Sequence, residues 1–222
     1  MPRPRLPQGP APDPTRGPEG SAAPGVLPPS AATDQPFGGS RVLQGDSDEA
    51  LAERSSRGDD RAFETLVDRY ERVVFTLTLR MTGNRDDARE MTQDVFVKVW
   101  RGLRGFDPER RFFSWIYRIA IHECLNLRRR SGRHEALEGE PESNEAGPEQ
   151  RFEAAEVERQ MQKALAGLPA ADRLIIILRH FLDYAHEEIA EILRVPAKTV
   201  KSRLYSARQR LRVELEQRGV RR

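Results

Sequence analysis

Two stretches of this 222-residue chain carry side chains suited to nucleic acid. In "GFDPERRFFSWIYRIA" (105–120), Phe106, Phe112, Phe113, Trp115 and Tyr117 fall within twelve positions, beside Arg110, Arg111 and Arg118. Aromatic faces stack on unpaired bases, and guanidinium groups hold phosphates. The same residue types also build helical cores, and spacing divides them. Phe113, Ile116, Tyr117 and Ala120 fall at i, i+3, i+4 and i+7, so they point inward. Phe106 to Phe112, with Asp107, Arg110 and Arg111, is the part left for a working surface. Trp115 suits either role.

The second stretch is "AHEEIAEILRVPAKTVKSRLYSARQRLR" (185–212). Ile189, Ala190, Ile192 and Leu193 give a first short helix its apolar face. Ala190 is small where two helices should cross, and Val195 fills the turn. Pro196 suits a helix start, where its missing N–H has no intrahelical partner. In the second helix Val200, Leu204, Ala207, Leu211 and Leu215 fall on one stripe. The opposite face carries Lys198, Lys201, Ser202, Tyr205, Arg208, Gln209 and Arg212. A short helix, a turn and a second helix with a cationic, hydrogen-bonding outer face is a helix-turn-helix, spanning about 185–205. It has the form that enters a major groove.

A third stretch, "DDAREMTQDVFVKVWRGL" (86–103), is more apolar than one buried stripe requires. Ala88, Met91, Val95 and Val99 form that stripe. Phe96, Val97 and Trp100 lie beyond it, beside Gln93 and Asp94. An apolar patch rimmed by charge marks a protein interface, unless a flanking helix covers it.

Catalytic chemistry finds no comparable pattern. The four histidines are His122, His134, His180 and His186. "HECLN" (122–126) lacks a second His one helical turn on, so it is no zinc-protease motif. One cysteine and scattered His give no metal-ligand spacing, and no glycine loop is built to cradle phosphate. Cys124 reads as a core thiol. The chain is expected to be no enzyme and to hold no metal or cofactor.

These stretches need helices to position them, and the rest of the chain supplies helical patterning. Residues 1–45 hold eleven of the sixteen prolines and almost no periodic apolar residues, so they read as a disordered tail. From 46 to 131 the pattern gives four helices. Asp46 with Glu49 resembles a capping box, "GDD" (58–60) breaks the chain, and Asn84 can cap the helix from about 85 to 103. Residues 132–151 form a flexible acidic linker, and helical pattern returns from 152 to 222. Strand-like alternation is absent. The fold class is all-α, with two small helical domains. Residues 135–158 carry nine Glu against one Arg, and 194–222 carry ten Lys or Arg against two Glu. That asymmetry suits polyanion partners or solvated helix faces about equally. The single cysteine fits a reducing compartment. No apolar run approaches a membrane span or signal peptide, so a cytoplasmic location without membrane insertion is expected.

Here the sequence resembles a known family. "EEIAEILRVPAKTVKSRLYSARQRLR" is similar to the fourth conserved region of the sigma-seventy family. "DDAREMTQDVFVKVWRGL" with "FFSWIYRIAIHECLNLRRR" is similar to the second. The order, and a linker too short for a domain between them, match the extracytoplasmic function (ECF) group. The resemblance covers about 46–215. It implies a bacterial transcription initiation factor that binds core RNA polymerase and promoter DNA and helps open the minus-ten region. The group commonly uses an anti-sigma factor, so such a partner is expected. A helix-turn-helix regulator acting without polymerase is the alternative.

The resemblance also assigns residues. Core polymerase would meet Asp87, Glu90, Gln93, Asp94 and Phe96. The minus-ten strand would meet Phe106, Asp107, Arg110, Arg111, Phe112, Ser114, Arg118, His122 and Asn126. The minus-thirty-five element would meet Arg179, Lys198, Thr199, Lys201, Ser202, Tyr205 and Arg208. The chain departs from the family pattern at four places. Ile116 stands where housekeeping members have a second tryptophan, which favours a packing role for Trp115. His122 often is Asn, Ser206 often is Arg, and Asp183 replaces a common Gly, with no loss of fold expected.

Overall fold

The computed structural model describes residues 46–131 and 148–219, with side chains for 46–127 and 155–219. The expected tail (1–45) and most of the expected linker lie outside the described residues. All regular structure among these residues is helical: α1 (Asp48–Ser56), α2 (Asp60–Thr82), α3 (Arg85–Gly102), α4 (Phe112–Ser131), α5 (Pro148–Gly167), α6 (Ala170–Ile176), α7 (His186–Leu193) and α8 (Ala197–Gln217). A short 3₁₀ turn follows α3, and α6 widens into a π turn over Ile177–Phe181.

Local chemistry sets the helix ends. Asp59 caps α2 by accepting from the Ala62 N–H at 3.1 Å. Gly83 ends it at φ +77°, a left-handed conformation that costs glycine little. Asn84 caps α3 as expected, accepting from the N–H groups of Asp86 and Asp87. The Asp46–Glu49 capping box does not form. Ser47 caps α1 instead, accepting from Ala50 N–H at 3.2 Å, and Asp46 pairs with Arg54. Glu49 turns away and accepts from the Phe112 N–H at 3.0 Å. That N–H opens α4 and has no partner in its own helix, so α1 caps α4 from outside. Helix α5 begins at Pro148, four residues before the expected return of helix at 152.

The first module packs α2 against α3 and α4, with α1 across one end. Its core is Leu66, Tyr70, Val74, Leu77 and Met81 of α2, Met91, Val95 and Val99 of α3, and Phe112, Ile116, Tyr117, Ala120 and Cys124 of α4. Where α2 crosses α3, two buried hydroxyls settle each other. Thr78 Oγ1 lies 3.1 Å from Thr92 Oγ1, which itself donates to Ala88 O at 2.7 Å. In the second module α8 packs against α5, α6 and α7, and the run Leu174 to Leu178 is buried throughout.

The junction of the two modules has no signature in the sequence layout. Arg173 is buried. Its Nη1 donates to Met81 O at 2.8 Å and its Nη2 to Ala166 O at 2.6 Å. One guanidinium therefore caps the carboxyl ends of α2 and α5, one from each module. Arg80 pairs with Glu158 and lies over the Phe181 ring at 4.3 Å. Tyr184, between the π turn and α7, stacks on Phe113 and meets Tyr117 edge-on, with centroids 6.0 and 5.2 Å apart.

Candidate nucleic-acid and polymerase interfaces

Helix α8 is amphipathic as its spacing requires. Val200, Leu204 and Ala207 are buried against the module. Lys198, Lys201, Ser202, Tyr205 and Arg208 are exposed, Tyr205 by 67%, and Thr199 is half-buried. Ser202 Oγ donates back to Thr199 O at 3.0 Å. Arg179 stands apart from that face. It donates to Asp183 Oδ1 at 2.9 Å and to Tyr184 O at 3.2 Å, closing the turn before α7. Asp183 takes φ +52°, which explains why a glycine would suit that site. One residue the sequence reading missed is His180. Its Nε2 accepts from Arg208 Nε–H at 3.1 Å, across from the π turn to α8. Burial lowers the His180 pKa, and Arg208 and Arg179 lower it further, while Asp183 acts in the opposite sense. The imidazole is thus held neutral, as an acceptor must be.

On α3, Asp87, Glu90, Gln93 and Asp94 share an exposed face with Val97 and Trp100, which are 45% and 39% exposed. Phe96 does not join them. It is only 9% exposed and belongs to the core, because α3 is flanked by both α2 and α4 and buries an arc wider than one stripe. The apolar part of the patch is Val97 and Trp100, and Trp100 is propped edge-on against Phe63 at 4.7 Å.

The loop before α4 is a turn organised by Asp107. Its carboxylate accepts from the Glu109 N–H and from Arg110 Nε–H, both at 3.1 Å. Phe112 is fully buried, with Tyr70, Phe106 and Trp115 around it at 5.3–5.7 Å. Ser114 is buried too, donating to Arg111 O. Neither presents a surface to DNA in this arrangement. Phe106 and Trp115 are half-buried and pack on each other at 5.0 Å. Gly102 makes room for that tryptophan, since an added Cβ would sit 3.0 Å from its ring. Arg110 and Arg111 are exposed, Arg118 is half-buried, and His122 is exposed with its Nδ1 accepting from Asn126 Nδ2 at 3.0 Å. Facing this side of α4 is α7, with Glu191 3.8 Å from Arg111.

Comparison with known proteins accounts for both modules. The model of Sigma-70 region 2 matches residues 66–134, and that of Sigma-70 region 4 matches 158–211. The chain is 31% identical over 180 residues to the RNA polymerase sigma-H factor of Pseudomonas aeruginosa, covering 76% of this chain and 93% of that one. It is 33% identical over 175 residues to the ECF RNA polymerase sigma-E factor of Escherichia coli K12, covering 73% and 91%. Among solved structures it is similar to CnrH in complex with the cytosolic domain of CnrY. The TM-score there is 0.59 at 29% identity, over 77% of this chain and 98% of that one. The fold also matches the sigma factor RpoE in complex with the anti-sigma factor NepR from Bartonella quintana, with a TM-score of 0.54 at 23% identity over 69% and 96%. The chain belongs to the sigma-70 family. Within it, the chain is a bacterial transcription initiation factor of the ECF kind.

Proposed function

We propose that this factor divides its work among three helical faces. The α3 face of Asp87, Glu90, Gln93 and Asp94, with Val97 and Trp100 as its apolar centre, docks on core RNA polymerase. The turn at Phe106–Arg111 and the outer side of α4, with Arg118, His122 and Asn126, handle the minus-ten strand. The outer face of α8, with Lys198, Lys201, Ser202, Tyr205 and Arg208, reads the minus-thirty-five element. Thr199 lies half-buried at its edge, and Arg179 holds the turn before α7.

The observation that carries this reading is the exposure pattern of α8. Val200, Leu204 and Ala207 are buried on one side, and the other offers cations and an exposed tyrosine to a groove. The reading includes no catalysis and no cofactor. Action is in the cytoplasm, where core polymerase is found, and an anti-sigma factor is the expected regulator.

Run-off transcription tests it. Added to core polymerase, the chain should direct initiation from specific start sites, and alone it should bind promoter DNA poorly. Tight, specific binding by the free chain, with no initiation conferred on core polymerase, would establish the simple regulator instead.

A further inference from the structure

A cleft of about 530 Å³ lies between the start of α4 and the end of α7. It is lined by Glu109, Arg110, Arg111, Ser114, Arg118, Glu191 and Arg194. Four guanidinium groups thus face two carboxylates, and the cations come from both modules. Arg111 is engaged with Glu191 and with the Phe113 ring, and Arg110 with Asp107. Arg118 and Arg194 have no carboxylate at ion-pair distance among the described residues. They crowd each other instead. Burial lowers the Arg118 pKa, Arg194 and Arg110 lower it further, and only Glu191 opposes them.

A second observation points to the same place. Arg194 ends α7 at φ +53°, a left-handed conformation that L side chains other than Asn and Asp adopt reluctantly. That conformation is the left-handed cap that ends α7, with the Arg194 N–H donating to Ala190 O and Glu191 O. Here it places an arginine beside two others, in a cleft too cationic to be satisfied by its own residues. Guanidinium groups recognise phosphate oxygens in paired hydrogen bonds, and neighbouring guanidiniums favour a ligand carrying several phosphates.

We infer that this cleft is a binding site for a small oligophosphate anion, held by Arg118 and Arg110 from one module and Arg194 from the other. Because the site exists only while α7 lies against α4, the ligand stabilises the packed form of the chain. The site shares Arg118 with the proposed minus-ten face, so an occupied cleft opposes strand capture there.

Sodium tripolyphosphate is the probe, titrated into the full chain by calorimetry and thermal unfolding at constant ionic strength. Saturable binding should raise the melting temperature by several degrees. Arg118→Gln and Arg194→Gly should each weaken binding at least tenfold, while Lys201→Gln on α8 should not. Arg194→Gly also relieves the positive φ. It should therefore melt higher than the parent chain without ligand, yet gain nothing from it, a pairing that general destabilisation cannot produce. An equal shift from sodium chloride, or unchanged affinity in Arg194→Gly, would overturn the proposal. So would Arg194→Gly weakening minus-ten strand capture by the holoenzyme as much as it weakens tripolyphosphate binding, since the cleft would then serve the promoter strand. Loss of α8 function would leave these readouts unmoved, so the two readings fail separately.

Discussion

Phe112 is enclosed by Tyr70, Phe106 and Trp115 and opens α4 with its N–H on Glu49. Phe112→Ala should therefore cost about 3–5 kcal/mol in urea unfolding, as for a fully buried aromatic. Trp115→Ala should cost less, about 2–3 kcal/mol, because its ring is half-buried. His180 gives a pH signature. Its folded pKa lies below the ordinary 6.5, so the unfolded chain binds the extra proton first on acidification. Stability contributed by this site is complete above pH 6.5 and is lost as pH falls towards the folded value. Protonation also removes the acceptor for Arg208. Melting curves from pH 7.5 to 5 should show this loss, and His180→Gln, which keeps an acceptor but cannot titrate, should flatten it. Cys124 behaves oppositely to a reactive thiol. Burial pushes its pKa up to about 12, so it stays protonated at neutral pH, with its Sγ 3.2 Å from Met91 Sδ.

Among the elements, α8 and α3 carry the sharpest expectations. Lys201→Ala or Tyr205→Ala should lower discrimination at the minus-thirty-five element by about 1–3 kcal/mol if base edges are read. Equal weakening on all sequences, measured with scrambled promoters, would make these phosphate contacts. Gln93→Ala with Asp94→Ala should impair binding to core polymerase while leaving helix content unchanged, since both side chains are exposed. Normal polymerase binding by that double variant would remove α3 from the docking surface. The helices themselves were legible because apolar residues recur every three to four positions and Asn84, Gly83 and Pro196 punctuate them. Burial beyond a single stripe was not. Phe96, Phe112 and Ser114 are hidden by neighbouring helices, and a periodic pattern records the direction of a side chain without recording what stands opposite it.

For the whole molecule, the sequence layout suggested two domains on a tether, and both modules are present as expected. Their packing was illegible for a physical reason. It rests on Arg173, Arg80, Phe113 and Tyr184, which read locally as an ordinary charged helix and part of an aromatic cluster. Only the fold sets Arg173 against Met81 O and Tyr184 against Tyr117. The two modules should unfold in one calorimetric transition. Arg173→Ala, which removes the donor to the Met81, Ala166 and Leu168 carbonyls, should cost about 2–3 kcal/mol and split that transition into two.

The Arg173 contact also has an order in time. Met81 and Arg173 are 92 positions apart. At about 5–20 residues per second, a ribosome needs several seconds to add them. Throughout that interval Met81 O lacks its Arg173 donor. Chains stalled or truncated before residue 173 should therefore present a looser first module than the finished protein. Proteases would find that looseness at Gly83, where α2 would otherwise be pinned.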